Sequence, residues 1–189
     1  MMVLRWLPLI ALFIAGCSSN GLVRPGSVQV DGLQLRPGTA WTQRGVKGER
    51  QWTIDGPQLN ALEIYTGIKD GDFIFDLDQR NKRGEGLRYR ASMNALELQE
   101  LIVAGLREAG AIDPESIRLA PREVGDLPGF ELELRFANAQ GLHYRALGLG
   151  FVADQRLQFL LYYAPAEYYF ERERREIESL FASLRWTKG

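Results

Sequence analysis

The sequence predicts an α+β fold in which a curved antiparallel sheet, built as a meander, carries two packed helices. Three observations support this fold class. Apolar and polar residues alternate with the period of two that is typical of strands, most clearly at 130–136. Two stretches, about 94–109 and 166–184, repeat their apolar residues every three or four positions, as amphipathic helices do. Turn-forming residues separate these segments, and we expect both helices to cover one face of the sheet.

Short apolar runs separated by glycine turns predict the strands before the first helix. Asp31-Gly32 is the clearest hairpin signal among them. The predicted strands are 28–30, 33–35, two strands around Trp41 and Trp52 on either side of a turn at 45–48, a half-buried strand at 59–67 and a short return strand at 73–75.

Residues 76–90 are charged and rich in glycine, which predicts a long surface loop of the kind that is often functional or mobile. The first helix follows, because Asn94 and Glu97 have the spacing of a capping box. Gly105 on its apolar face predicts a close approach by a neighbouring element. Gly110 is placed to cap the helix at its C-terminus.

Strands and a second helix are predicted for the rest of the chain. The strands are 117–119, 130–136, 142–152 and 157–163, with turns at 126–129, 138–141 and 153–156. We expect Glu131, Glu133 and Arg135 on the solvent-facing side of their strand. Pro165 is suited to the first turn of the second helix.

The N-terminal residues 1–16 have the composition of a secretory signal peptide, with one positive charge, Arg5, before the apolar run 6–15. This run is too short to span a bilayer, which takes about 20 residues. Cys17 follows directly and is the only cysteine of the chain. A lone cysteine is unusual in an exported protein, because oxidising compartments favour paired cysteines. An ordinary buried or reactive cysteine is the competing interpretation.

The residues Ile14-Ala15-Gly16-Cys17 resemble the lipobox of bacterial lipoproteins. The resemblance implies that the Cys17 thiol receives a diacylglyceryl group and that cleavage makes Cys17 the new N-terminus. In such lipoproteins an aspartate after the cysteine retains the product at the inner membrane. Ser18 therefore implies sorting to the outer membrane, with the domain on its periplasmic face. Several acyl chains, at ~0.8 kcal/mol per buried CH₂, would anchor the protein stably.

The predicted organisation is a signal peptide at 1–16, a lipidated tether at 17–27 and one periplasmic domain at 28–189. Of the 23 lysines and arginines only Arg5 lies in the signal peptide, so 22 basic residues remain against 24 acidic ones. This near-neutral balance argues against binding to nucleic acid. Lipidation of Cys17 would leave no thiol for disulfides, catalysis or metal ligation, and we predict no cofactor.

The order of strands, helix, strands and helix, together with the ending from Tyr162-Tyr163-Ala164-Pro165 to 177–184, resembles PsbP-like domains. These domains are named for an extrinsic subunit of photosystem II and also occur in small bacterial lipoproteins of unknown role. The resemblance spans about residues 28–186 and implies the α+β fold described above. It transfers no functional residue to this chain.

No catalytic or metal-binding motif is complete, so we predict a protein that is not an enzyme. His143 is the only histidine, and the sequence supplies no nucleophile motif for it. Glu131 and Glu133 share a strand face, as a glycosidase pair would, but alternating charge is also typical of a solvated face. The acidic residues that could serve as calcium ligands are Asp70, Asp72, Asp76, Asp78 and Glu85. Basic residues lie among them and their spacing is not that of an EF-hand.

The richest aromatic cluster lies at 162–170, where Tyr162, Tyr163, Tyr168 and Tyr169 form a candidate ligand or partner surface. Core packing is the competing interpretation. Three functions stay open at this point. The first is an envelope-interaction domain that binds a partner protein or another envelope component. The second is a small-ligand carrier or sensor that uses 162–170 with the loop at 76–86, and the third is a hydrolase acting on envelope material.

Overall fold

The computed structural model describes residues 21–75 and 87–187, which form eleven strands and two helices. The strands are β1 (Gly21–Val23), β2 (Val28–Val30), β3 (Leu33–Leu35), β4 (Trp41–Val46), β5 (Glu49–Thr53), β6 (Ala61–Ile68), β7 (Ile112–Val124), β8 (Leu127–Ala137), β9 (His143–Ala153), β10 (Arg156–Pro165) and β11 (Arg185–Trp186). The helices are α1 (Ala95–Glu108) and α2 (Tyr169–Ser183).

Eight of the strands form one open antiparallel sheet in the spatial order β1-β4-β5-β6-β10-β9-β8-β7. A second, three-stranded sheet has the order β11-β3-β2. The predicted fold class, an antiparallel sheet with two helices packed on it, is therefore confirmed. Neither helix of the described chain has the length and apolar character that crossing a membrane requires.

The two helices lie on opposite faces of the large sheet, so the expectation that both cover one face is wrong. Alternate residues of β10 show this: Phe159 and Leu161 pack in the same apolar cluster as α1, whereas Leu160 and Tyr162 pack in the cluster of α2. The central strands of the large sheet therefore carry apolar side chains on both faces. We call the two sides the α1 face and the α2 face.

Helix α1 begins as its sequence predicts. The Asn94 side chain accepts hydrogen bonds from the backbone N–H groups of Leu96 and Glu97, and the Glu97 carboxylate accepts one from Asn94 N–H at 2.8 Å. Gly110 follows the C-cap in a left-handed conformation, with φ of 100°. The close approach predicted at Gly105 is also present: a Cβ there would lie 2.6 Å from Cδ2 of Phe75.

Helix α2 begins later than predicted, because Pro165 is the last residue of β10 and not the first turn of the helix. Pro165 pairs with Tyr144 of β9, while the ladder between β10 and β6 already ends at Tyr163. The missing N–H of proline consequently interrupts no hydrogen bond on the β6 side.

The edge strand β7 is much longer than the predicted 117–119. It contains Pro114 and Pro121, which a strand tolerates when only one of its sides is paired, as here with β8. The turn into β8 is Gly125-Asp126 rather than 126–129, and Pro128 already belongs to the strand.

Two further boundaries differ from the prediction. Gly21–Val23, assigned to the tether, forms strand β1 and pairs with β4, burying Val23. The expected return strand at 73–75 is only a bridge between Phe73 and Arg88. Most of the predicted surface loop, residues 76–86, lies outside the described residues.

Candidate ligand-binding site

A cavity of about 350 Å³ lies on the α1 face, where the helix stops short of β5 and β6. Helix α1 packs mainly on β7 and β8, at one edge of the sheet, so its last turn forms one wall and the uncovered sheet forms the floor. Five aromatic side chains line this space, which we call the aromatic cavity: Tyr65, Phe75, Phe136, Tyr144 and Tyr163.

Strand register brings these side chains together from distant parts of the sequence. Tyr163 pairs with Ala61 on one side and Ala146 on the other, and Phe136 pairs directly with Tyr144. Directly opposed residues point to the same face of a sheet. The alternation of β10 therefore places Tyr163 on the α1 face beside rings contributed by β8 and β9.

The rings form two groups of mutually contacting side chains. Phe136 and Tyr144 are stacked with ring centroids 5.3 Å apart, and each meets Tyr163 edge-on at 6.3 Å. Tyr65 meets Phe75 edge-on at 5.6 Å across the cavity wall. Such contacts hold each ring through its neighbours, which fixes the shape of the wall before any ligand arrives.

Glu63 is the half-buried carboxylate of this cavity, on β6. Its Oε1 accepts hydrogen bonds from Gln51 Nε2 and from the Tyr163 hydroxyl, the latter at 3.2 Å. Burial raises the pKa of Glu63 above its ordinary value, and the two hydrogen bonds act in the opposite direction. Burial and the neighbouring Glu63 together raise the pKa of Tyr163.

Gln51, which donates a hydrogen bond to Glu63, has a side-chain oxygen without a hydrogen-bond donor. Its Oε1 is buried and has no hydrogen-bond partner among the described residues, while its Nε2 is engaged by Glu63. A buried amide oxygen without a donor is uncommon in folded proteins. Gln51 itself does not line the cavity, so this oxygen is an unsatisfied group of the β5–β6 pair behind Glu63.

The structure separates the four tyrosines that the sequence grouped. Tyr163 lines the aromatic cavity, but Tyr162 points to the α2 face, is fully buried and donates its hydroxyl to Glu173. Tyr168 and Tyr169 lie at the start of α2, edge-on to each other at 5.2 Å. Tyr162 and Tyr163 thus lie on opposite faces of the sheet, as the alternation of side chains along a strand requires.

Tyr162 belongs to a buried polar network under α2. Glu173, 5% exposed, accepts hydrogen bonds from Tyr162, from Asn60 Nδ2 at 3.1 Å and from Arg172. Arg172 also pairs with Asp55. Burial and Glu173 raise the pKa of the Tyr162 hydroxyl, so this group acts as a donor that holds α2 on the sheet.

The predicted solvent-facing side of β8 is partly covered by helix α2. Glu133 is only 7% exposed and forms ion pairs with Arg145 and Arg174, whereas Glu131 pairs with Arg118 and Arg122. The covering is possible because the two arginines neutralise the buried charge.

The remaining candidates that lie within the described residues are not assembled into a site. His143 is an exposed residue at the start of β9. Asp70 and Asp72 accept backbone hydrogen bonds from Ala91 and Lys69, at 2.8 and 2.9 Å. Asp76, Asp78, Glu85 and the lipobox residues Cys17 and Ser18 lie outside the described residues. Across 21–75 and 87–187 no three His, Cys, Asp or Glu side chains are grouped as metal ligands.

Sequence reasoning missed Glu63 as well as the ring pair Phe136 and Tyr144. Glu63 carried a usable signal, since it stands in the middle of a strand with Leu62 and Ile64 on either side. A carboxylate inside such a strand is expected to have a specific partner or role. The ring pair carried no signal, because only strand register places two residues of different strands opposite each other.

Comparison with known proteins identifies the fold and no more. No family model matches the chain, and no curated protein matches it. Among solved structures it is similar to the solution structure of cyanobacterial PsbP (CyanoP) from Synechocystis sp. PCC 6803, with a TM-score of 0.57 and 14% identity over 95% of this chain and 99% of that one. The described fold is therefore PsbP-like.

Two other solved structures show weaker likeness. The Ran-binding protein Mog1p of Saccharomyces cerevisiae has a TM-score of 0.49 and 7% identity, covering 90% of this chain and 96% of that one. The immunity protein TplEi of the type VI secretion system of Pseudomonas aeruginosa has a TM-score of 0.41 and 12% identity, covering 87% and 50%. Neither informs the function of this chain.

Proposed function

We propose that this chain is a lipid-anchored binding protein of the bacterial envelope that is not an enzyme and that takes a small ligand into the aromatic cavity. The observation that carries this proposal is the cavity itself. Ligand pockets typically have volumes of roughly 300–1,000 Å³, are lined mainly by apolar and aromatic side chains, and contain a few polar groups that orient the ligand. The aromatic cavity has this size and composition, with Glu49, Glu63 and Asn138 among its polar groups.

The anchor is supported by the sequence. Ile14-Ala15-Gly16-Cys17 has the lipobox pattern, and Ser18 is compatible with transport to the periplasmic face of the outer membrane. A binding role rather than hydrolysis is supported by the ion pairs of Glu131 and Glu133. A carboxylate held between arginines is poorly suited to donate or accept a proton during catalysis.

Metabolic labelling with palmitate in a Gram-negative host tests the anchor. Cys17→Ser should remove the label, and Ser18→Asp should move the labelled protein from the outer- to the inner-membrane fraction. Ser19→Asp is the matched control and should leave the distribution unchanged. Label that persists in Cys17→Ser contradicts the lipobox assignment.

Ligand-detected NMR with a fragment library, on the full chain in non-ionic detergent, tests the cavity. Fragments that bind should lose about tenfold or more in affinity in Tyr163→Ala, since this ring touches both Phe136 and Tyr144. Tyr168→Ala removes an equal ring that is 61% exposed and outside the cavity, and it should bind as the unmodified chain does. Equal effects of the two variants would show that the cavity is not the site.

A partner protein is the second candidate, favoured by the surface at the start of α2. Tyr168 is exposed, and the Arg172 guanidinium lies 5.4 Å from its ring centroid and 4.8 Å from that of Tyr169. Tyrosine and arginine are enriched in binding hot spots. Crosslinking in intact cells should then capture an envelope protein that Tyr168→Ala loses, while Tyr163→Ala retains it.

A further inference from the structure

The side chains that line the aromatic cavity favour a positively charged ligand. Glu49 and Glu63 both line it, and within residues 21–75 and 87–187 no lysine or arginine does. Aromatic rings carry negative charge on their faces and attract cations, most strongly where water is excluded. The carboxylates and the ring faces of this open cavity therefore favour a ligand of the same charge, a cation.

Helix α1 adds a third contribution of the same sign. Leu106, Ala109 and Gly110, at its C-terminal end, line the cavity. The C-terminus of a helix carries a partial negative charge of roughly half an electron, concentrated in the carbonyl groups of the last turn. The carbonyls of Gly105, Leu106 and Arg107 already accept backbone hydrogen bonds and Arg107 lies in this turn, so the helix end adds only a small negative contribution.

Two arginines lie close by without lining the cavity. Arg44, exposed on β4, lowers the pKa of Glu63, and Arg107 is exposed in the last turn of α1. Arg44 is paired in the sheet with Gln51, the residue that donates to Glu63. Arg44 thus offsets part of the negative charge of Glu63. Removing the Arg44 charge should therefore strengthen cation binding, whereas removing the Glu63 charge should weaken it.

From this arrangement we infer that the aromatic cavity binds a small organic cation, with a substituted ammonium group against the rings and Glu63 as its counter-ion. The inference rests on the proposed function, because it specifies the ligand class of the same cavity. A free organic cation and the ammonium headgroup of a lipid share this chemistry.

The test compares two probes of equal shape. Choline and its neutral carbon analogue 3,3-dimethylbutan-1-ol are titrated into the full chain in non-ionic detergent, with binding followed by calorimetry. Choline should bind at least about tenfold more tightly, because the analogue lacks the charge that the carboxylates and rings recognise. Dihexanoylphosphatidylcholine, titrated below its micelle concentration, distinguishes a lipid headgroup from a free cation by its tighter binding.

Three variants locate the effect. Glu63→Gln should weaken choline about tenfold and leave the neutral analogue unchanged, since it removes charge and keeps shape. Arg44→Gln should tighten choline several-fold. Glu131→Gln makes the same charge change as Glu63→Gln on the α2 face, and it should change neither probe.

The two proposals fail in different ways. Equal affinity for choline and its analogue, or choline binding that Glu63→Gln leaves unchanged, overturns the inference about charge while the cavity stays a ligand site. An absence of choline binding together with binding of neutral aromatic fragments has the same meaning. Absence of any binding at the cavity overturns both the inference and the proposed function.

Discussion

Glu173 and Glu63 are both carboxylates placed against the large sheet, one on each face, and their surroundings differ in kind. Glu173 has a cationic partner, Arg172, and accepts hydrogen bonds on both oxygens, from Arg172 and Asn60 on Oε1 and from Tyr162 on Oε2. Glu63 accepts hydrogen bonds from two neutral groups, both on Oε1. The first carboxylate is neutralised within the fold, whereas the second keeps its charge directed at an open cavity.

The difference separates a charge that stabilises the fold from one kept for another purpose. Burying a carboxylate is costly unless an opposite charge and hydrogen bonds compensate for it. Glu173 meets both conditions, as does Glu133 between Arg145 and Arg174. Glu63 has the hydrogen bonds, but neither of its hydrogen-bond partners is a cation. A ligand cation would supply the opposite charge.

The largest expected effect comes from Glu173→Gln. Three groups, Tyr162, Asn60 and Arg172, donate to Glu173, but the glutamine side chain has only one acceptor oxygen. Its NH₂ group would therefore face a donor, and the ion pair with Arg172 would be lost. We expect a loss of about 2–3 kcal/mol in unfolding free energy, or roughly 5–10 °C in Tm. Thermal unfolding followed by circular dichroism measures it. An unchanged Tm would contradict the stabilising role of this network.

Gly105→Ala should have a smaller effect that links helix α1 to the cavity. The new methyl group would lie 2.6 Å from Cδ2 of Phe75, so the ring must move within the cavity wall. Overpacking costs roughly 1–3 kcal/mol, partly offset by about 1 kcal/mol of helix propensity. We expect a Tm lower by a few degrees and weaker choline binding. Gly21→Ala, where nothing lies within 4 Å of the new Cβ, is the control and should change neither.

Glu63→Gln should have the smallest effect on stability and the opposite sign to Glu173→Gln. Both hydrogen bonds to Oε1 can be kept, and a desolvated charge is removed, so we expect Tm at neutral pH to rise by about 1–3 °C. Scanning calorimetry of the two chains measures the difference. A lower Tm in the variant would mean that the Glu63 charge stabilises the fold.

The stability difference between Glu63→Gln and the unmodified chain should depend on pH. The folded-state pKa of Glu63 is raised, so the folded chain holds this proton more tightly than the unfolded chain. Stability of the unmodified chain therefore falls as pH rises from the unfolded value of about 4.3 through the raised folded value. The advantage of Glu63→Gln should be full above that range and vanish below it. The charge of Glu49 adds to the raised pKa of Glu63, while the hydrogen bonds from Gln51 and Tyr163 and the charge of Arg44 oppose it.

Local features of the fold were predictable because their causes are local. The capping box at Asn94 and the hairpin at Asp31-Gly32 each depend on residues that are neighbours in sequence, and the structure has both. The end of β10 at Pro165 was not predictable in this way. Whether a proline ends a strand or begins a helix depends on which neighbouring strand still pairs with it.

The candidate site was predictable only in part. Tyr163 was identified from an aromatic cluster, but the cavity around it requires the placement of α1 over β7 and β8. Helix α1 can pack there because the central strands are apolar on both faces. An alternation with a period of two predicts only one apolar face. Charge on β8 was likewise misinterpreted as exposure, because the arginines that neutralise Glu133 lie on β9 and α2.

Strand β1 has a mechanical consequence for the proposed anchor. Three residues lie between Cys17 and Gly21, so four Cα-to-Cα steps join them and these two Cα atoms can never be more than about 14 Å apart. Strand β6 is the third neighbour of β1 in the sheet, and adjacent strands lie about 4.8 Å apart. If Cys17 is acylated as we propose, these two lengths together keep Glu63 within roughly 30 Å of the acylated residue.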